Sequence, residues 1–478
     1  MTLTQVRPDQ APPASAVAPR RLVPRRHPRA SSPLIRDGIG MATWLSLLIV
    51  VGLWVAGGGV QDLTGWGSGL TSIGRLTGLL SSDLLLIQVL LMARIPVVEQ
   101  AYGQDELAGR HRLVGFTSFN LMVAHLVLIS AGYAATAGIN PFVQFWEMVV
   151  DYPGMLLATA GTGFLILVTV TSIRKARKRL RYESWHLLHL YAYLGVGLAI
   201  PHQLWTGQEF LASPVAAIYW WTLWIAAAGA VLVWRLGLPL YRTLRHDLRV
   251  SAVVRESPDI ISVWMRGRDL DRLPVASGQF FTWRFLTGPG WTRGHPYSLS
   301  AAPTGDTLRI TVKDLGDGSR ALAEVPVGTR VAIEGPYGRL HAGARSRPKV
   351  TLMGSGIGIT PLRAILEDLP QRPGDVTVIY RASTEHDLVL TRELEQLATQ
   401  RGARLFHVVG PRVAGRDSWL PQQAVHLSDA DALRQLVPDI ADQDVYLCGA
   451  DGWMASARTA ALSCGVPSSR IHLERFTW

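Results

Sequence analysis

Long apolar runs fill the first half of the chain, and short alternating runs fill the second. A helix that crosses a bilayer needs about 20 mostly apolar residues. Runs of that kind fall near residues 41–60, 76–96, 113–136, 153–172, 185–205 and 215–237, which predicts six spanning helices. From about residue 247 the texture changes. Segments such as "TLRITVKDL" and "RVAIEG", broken by Gly and Pro, alternate with period two and predict a small antiparallel β-domain over 247–345. After it, "KVTLMGSGIGITPLRAILEDL", "DVTVIYRAS" and "DVYLCGADGWMASARTAAL" each read as a buried strand leading to a loop or helix. That alternation predicts a parallel α/β sheet over 347–478.

Composition sharpens this picture. The chain has 478 residues, 48 % of them hydrophobic, and 16 tryptophans, a residue that gathers at bilayer interfaces. A net charge of +11 raises the question of nucleic acid, but the basic residues concentrate in the N-terminal tail and in "RKARKRLR", residues 174–181. Both flank hydrophobic runs, which favours membrane topology over nucleic-acid binding. The loops after the second and fourth runs carry Arg, while those after the first, third and fifth are acidic and nearly free of Lys and Arg. By the positive-inside rule both termini face the cytoplasm, and the lack of an EF-hand or other activation module in the sequence favours a bacterial-type plasma membrane. Residues 1–40, rich in Pro, Ala and Arg, read as a disordered cytoplasmic tail rather than a cleaved signal. Two cysteines, Cys448 and Cys464, exclude a disulfide framework and a Cys-ligated iron–sulfur cluster.

Ionisable groups at membrane depth are costly and usually functional. The third run carries His111 and His125; the fifth carries His186, His189 and His202. His111 and His125 are fourteen residues apart, about 21 Å along a helix and about 40° round it, so they share a face at two depths. Both runs cross in the same direction, which sets His111 level with His189 and His125 level with His202. Two levels of facing imidazoles suit two bis-His b-type haems. The thirteen-residue spacing of His189 and His202 leaves them about 140° apart on an ideal helix, unless Pro201, Gly195 and Gly197 distort it. Satisfied polar contacts in a transporter-like bundle are the alternative, and His186 could replace His189.

These two runs resemble the ferric reductase-like transmembrane domain of NADPH oxidases and ferric-chelate reductases. That family spaces its histidines in this way and has a "YE" ahead of the first ligand on the fifth helix, matched by Tyr182 and Glu183. The resemblance selects His189 over His186. It covers the chain from residue 41 onward and implies 41–240 as the haem domain, 247–345 as an FAD-binding β-barrel and 347–478 as the NAD(P)H-binding domain.

The same resemblance extends to "RGHPYSLSAAP", residues 293–303, whose "HPYS" matches the membrane version of a flavin-reductase signature. It implies that His295, Pro296, Tyr297, Ser298 and Ser300 lie on the flavin, with the flat face of Tyr297 against the ring and Ser298 near its N5 edge. "VKDLGDGSRAL", with Lys313, Gly316, Gly318 and Ser319, corresponds to the segment that holds the FAD diphosphate; Ser319 opens an expected helix whose N-terminus suits an anion. "EGPYG", residues 334–338, reads as a structural turn closing the barrel.

"TLMGSGIGITP" runs from strand to Gly-rich turn to helix. Gly354, Gly356, Gly358, Thr360 and Pro361 are expected to receive a pyrophosphate. Arg381 ends the next strand, where a guanidinium could clamp an adenosine 2′-phosphate and so favour NADPH over NADH, or else pair with Asp387. "YLCGADGWM" resembles the segment that meets the nicotinamide, which implies Cys448 and Gly449 near the transferring carbon. The terminal Trp478 resembles the aromatic that covers the flavin and moves aside.

The fold expected is a six-helix transmembrane bundle followed by an antiparallel β-barrel and an α/β parallel sheet. The function implied is transfer of electrons from NAD(P)H through FAD and two haems to an acceptor outside: a ferric or cupric chelate, dioxygen, or a quinone. A haem-free membrane-anchored flavin reductase and a nucleotide-sensing transporter or channel are the competing readings.

Overall fold

The computed structural model describes residues 4–5, 33–177, 179–180, 182–207, 213–288 and 290–475. The chain forms two compact units, Ser32–Gly237 and Leu238–Thr477 with the N-terminal strand.

The first unit is helical throughout. α1 spans Pro33–Ala56, α2 Trp66–Met92, α3 Pro96–Tyr102, α4 Gln104–Ala137, α5 Pro141–Asp151, α6 Met155–Ser172, α7 Arg174–Arg177, α8 Tyr182–Thr206 and α9 Pro214–Ala230. Among the described residues five helices are long and apolar enough to cross a membrane: α1, α2, α4, α6 and the run from α9 to His246. The expected fifth run is a helix of 25 residues, α8, but its histidines and other polar positions keep it out of that set. The outward faces are apolar, with Trp44, Leu48, Phe116, Val127 and Leu156 exposed, as lipid requires.

Three boundaries differ from expectation. α1 begins at Pro33, inside the stretch read as a tail, and Arg36 on its first turns pairs with Glu106 at 2.6 Å. α2 begins at Trp66 because "WGSGLTSIG", weakly apolar as sequence, is the small-residue face packed on α4. α4 begins at Gln104, so His111 sits two turns into the helix rather than at its start.

In the second unit α10, Leu238–His246, leads into strands β2 (Arg249–Ser257), β3 (Ile260–Arg266), β4 (Phe280–Phe285), β5 (His295–Ser298), β6 (Thr307–Lys313) and β7 (Val331–Tyr337). The expected barrel is instead two three-stranded antiparallel sheets, β2-β3-β6 and β5-β4-β7. Single bridges, Arg249 to Arg330 and Leu299 to Ile310, join their edges without extending into ladders. Val263, Phe281, Trp283 and Ile310 fill the space between them. "EGPY" belongs to β7 and is not a turn; Gly335 there lies so close to Phe281 that a Cβ would sit 2.8 Å from its ring.

β8 (Val350–Ser355), β9 (Val376–Ala382), β10 (Arg404–Val409), β11 (Asp444–Cys448) and β12 (Ile471–Glu474) form the expected parallel sheet in the order β10-β9-β8-β11-β12. β1, Thr4–Gln5, adds an antiparallel edge on β10. The strand order reverses between β8 and β11. In such sheets ligands bind beyond the carboxyl ends of the strands at that point.

Candidate functional site

The helical unit brings four of the five sequence-identified histidines together in two pairs. The ring centroids of His111 and His189 are 6.0 Å apart, and those of His125 and His202 are 6.5 Å apart. His186 neighbours Trp185 instead, at 6.5 Å. The thirteen-residue spacing is accommodated within one helix that carries Pro201 in its interior.

The two members of each pair come from helices held by different seams. α4 packs on α2 through small residues. Ser81 and Ser118 donate hydrogen bonds to each other's carbonyls at 2.7 and 2.8 Å, and a Cβ on Gly78 would lie 2.5 Å from His125 Nδ1. α8 packs on α6 where Gly161 and Gly195 face each other; a Cβ on either would come within 3 Å of the other's carbonyl oxygen. Small residues let helix backbones approach in lipid.

Every paired imidazole uses Nδ1 on a protein oxygen. His111 Nδ1 lies 3.3 Å from Gln88 O, His125 Nδ1 2.8 Å from Gly74 O, His189 Nδ1 3.2 Å from Ser172 Oγ and His202 Nδ1 2.7 Å from Thr206 Oγ. Gly74 and Gln88 repeat on α2 the fourteen-residue interval of His111 and His125 on α4. Such contacts orient an imidazole and leave Nε2 for a metal. Ring centroids 6.0 and 6.5 Å apart would leave room for a metal between the two imidazoles of each pair. Among the described residues no cluster of three or more metal-ligating side chains occurs. Two ligands per level suit a metal already held by a macrocycle and not a bare ion. Gly74, Gly78, Gln88, Ser172 and Thr206 escaped the sequence reading, because nothing local distinguishes an orienting carbonyl or hydroxyl from a packing residue.

In the second unit β5 carries "HPYS". Tyr297 and His295 rings lie parallel at 6.1 Å, and burial pushes the Tyr297 phenol up to about 12. Ser298 Oγ is buried and has no hydrogen-bond partner among the described residues, which is uncommon for a buried polar atom. Ser300 differs. Its hydroxyl accepts from Arg309 Nε at 3.0 Å and from Thr311 Oγ1 at 2.7 Å, and its carbonyl accepts from Arg309 Nη2. Arg309 and Arg363 both reach Glu393, at 2.9 and 2.6 Å. Ser300 therefore takes part in a buried ionic network. Charges buried this way must be paired.

In the expected diphosphate loop the helix α11 (Asp317–Ala321) has five residues and runs on into a 3-10 turn, Leu322–Glu324. Ser319 Oγ accepts from the amides of Leu315 and Gly316 at 2.8 and 3.1 Å, so it braces its own loop. Lys313 pairs with Asp259 at 3.3 Å. Gly318 lies against His295, where a Cβ would meet the ring at 2.6 Å, so this loop does adjoin the flavin motif.

At the switch point Cys448 lies beside Gly354 in register. A Cβ on Gly358 would stand 2.3 Å from Cys448 O, and one on Gly449 2.8 Å from Ser355 Cβ. Only glycines allow these segments to meet. Gly356, at φ +54°, turns the chain into α12 (Ile359–Asp368), which opens with Thr360 and Pro361. Thr360 Oγ1 donates to Ile357 O at 2.9 Å. Cys448 is fully buried, and burial, then Glu474, pushes its thiol well up, so it stays protonated.

The Arg381 guanidinium donates to the carbonyls of Ala382, Val408 and Pro411. Arg381 also helps line a cavity of about 150 Å³ with Ser383, Arg412, Arg416 and Ser418. Arg412 and Arg416, in the loop after β10, are exposed, and the sequence reading passed over them. Trp478 lies outside the described residues.

Residues 77–200 match the ferric reductase like transmembrane component, and residues 352–459 match the oxidoreductase NAD-binding domain. A flavohemoprotein of Chromobacterium violaceum is 31 % identical over 247 residues, 48 % of this chain and 60 % of that protein. The ferredoxin reductase component of 3-ketosteroid-9-alpha-monooxygenase from Mycobacterium tuberculosis is 31 % identical over 243 residues, 48 % of this chain and 65 % of that protein. The chain thus spans less than two thirds of these relatives. The FAD/NAD-binding domain of a nitric oxide dioxygenase from Vibrio cholerae aligns with 48 % of this chain and 99 % of its own, at 29 % identity and a TM-score of 0.39.

Proposed function

From the premise that this chain joins a ferric reductase-like transmembrane component to an oxidoreductase NAD-binding domain of ferredoxin-reductase type, we propose that it carries electrons from cytoplasmic NAD(P)H across the plasma membrane to an acceptor outside. When bound, FAD supplies the exchange between hydride and single electrons, and two b-type haems supply the relay across the bilayer. The observation that carries this reading is the pair of histidine levels, at 6.0 and 6.5 Å, with every Nδ1 engaged.

His111 and His189 would hold the inner haem and His125 and His202 the outer one, their Nδ1 atoms being engaged by protein oxygens. α8 is the sixth span. Tyr297 and Ser298 hold the flavin, the hydroxyl of Ser298 donating to or accepting from its ring edge. Gly354, Gly356, Gly358 and Gly449 let the backbone approach the nicotinamide nucleotide, and the neutral thiol of Cys448 shields it from water. The cationic cavity of Arg412 and Arg416 supports NADPH over NADH, since a 2′-phosphate seeks guanidinium groups. A ferric chelate is the favoured acceptor, with dioxygen, giving superoxide, next.

A dithionite-reduced minus oxidised optical spectrum of the purified protein tests this directly. Two b-type haems per chain are expected, and His125→Leu should lower the count to one while FAD remains. A flavin signal without haem would reduce the molecule to a tethered flavin reductase.

A further inference from the structure

Asp83 lies within α2 and is fully buried. Ser46 Oγ of α1 and Tyr219 OH of α9 donate hydrogen bonds to its Oδ1 at 2.8 and 2.9 Å. Both hydroxyls therefore serve the same oxygen, while Oδ2 is buried with no hydrogen-bond partner among the described residues. The wall around Tyr219 is apolar, with Val50, Trp220, Leu79 and Leu80. A bare carboxylate in such surroundings is costly unless a counter-charge reaches it. The bonds that Asp83 makes are to hydroxyls, not to a cation.

Its position on α2 supplies a use. Asp83 is five residues from Gly78, which touches His125, and five from Gln88, whose carbonyl lies against His111. Five residues are about 7.5 Å along the axis and about 140° round it. Asp83 thus sits at a depth between the two histidine levels and on the opposite side of the helix, so it is no ligand. Tyr219 is the titratable group that faces it from α9, and α1 presents Ser46. α4 holds His111 and His125 across α2, and α8 contributes Gln203, bonded to Ser82 at 3.2 Å. An electron that enters such a bundle is a negative charge in a medium that screens poorly. A proton taken up inside the bundle would offset it.

We propose that Asp83, with Ser46 and Tyr219, is a proton-binding site inside the bilayer, filled on Oδ2 as an electron enters the histidine levels and emptied as it leaves. The proposal rests on the electron-transfer reading above. The electron comes from NAD(P)H and would reduce ferric to ferrous iron in the haem that the histidines would hold, while one proton from water forms an O–H bond on Oδ2. When the electron passes to the acceptor that bond breaks and the proton returns to water.

The test is a redox titration of the haem absorbance of the full-length purified protein at a series of pH values across neutrality. The midpoint potential of the wild type should fall as pH rises, by up to about 59 mV for each tenfold change in proton concentration. Asp83→Asn should abolish that slope, and Tyr219→Phe, which keeps the carboxyl, should move it along the pH axis with haem content unchanged. Dicyclohexylcarbodiimide, which reacts with protonated carboxyls in apolar surroundings, should label Asp83 more in reduced than in oxidised protein. A wild-type slope in haem-loaded Asp83→Asn, or a wild type with no slope, would overturn the proton site and leave the electron path standing. Protein that binds no haem would overturn both, and the optical spectrum separates the two failures.

Discussion

At the scale of single residues, the side chains that matter are those whose bonding is incomplete without a ligand. Ser298 Oγ is buried with no hydrogen-bond partner among the described residues, whereas Ser300, two positions on, has its hydroxyl filled by Arg309 and Thr311. Ser298→Ala should therefore weaken FAD binding about 2- to 10-fold, the worth of one neutral hydrogen bond, measured by flavin fluorescence on titration; unchanged affinity would move the flavin elsewhere. Arg381, the arginine that sequence singled out, is committed to three carbonyls. The exposed Arg412 and Arg416 share its cavity. Arg412→Ala should cut kcat/KM for NADPH by roughly 10- to 100-fold, a charged hydrogen bond's worth, and leave that for NADH unaltered. Equal losses with both nucleotides would refute the 2′-phosphate assignment.

At the scale of elements, stability and site geometry share the same contacts. Glycines and serines at the α2–α4 seam and glycines at the α6–α8 seam fix the helices that carry the histidines against their neighbours. In the parallel sheet, Asp444 at the head of β11 accepts from the amides of Ser346 and Arg347 at 2.7 and 2.6 Å, and lies 2.9 Å from His472 Nε2 on β12. Burial alone would raise this carboxyl, but His472 and those amides hold it below the usual carboxylate range. The folded value is thus depressed. Its contribution to stability is complete above the unfolded carboxylate value, near pH 4, and is lost as pH falls through the lower folded value. Asp444→Asn should unfold more easily by about 1–3 kcal/mol at neutral pH, and its stability should change less than that of the wild type between pH 5 and pH 2, as read by denaturant titration. A variant that loses stability in acid as steeply as the wild type would show that Asp444 does not carry the effect.

At the scale of the whole molecule, the proposed direction of electron flow is a statement about sidedness. In sealed vesicles that hold the protein with its nucleotide-binding unit outermost, external NADPH should reduce a membrane-impermeant ferric chelate trapped inside. A chelate reduced only when it shares the compartment with NADPH would place the acceptor beside the flavin, and the helices would then serve only as an anchor.

Sequence by itself determined the division into apolar and alternating halves, the parallel sheet, the glycine turns of the nucleotide half and the four paired histidines. Each of these is written locally, as hydropathy, as a period of two or as a spacing along one helix. The tertiary structure showed that His189 and not His186 faces His111, a distinction that two residues a single turn apart do not carry along the chain. It also decided that Ser300, Ser319 and Arg381 already have partners, and that the barrel is two sheets joined by single bridges. Asp83 belongs to the same class. Its companions Ser46 and Tyr219 lie 37 and 136 positions away, and a hydrogen bond is settled by distance in space, which no local pattern along the chain records.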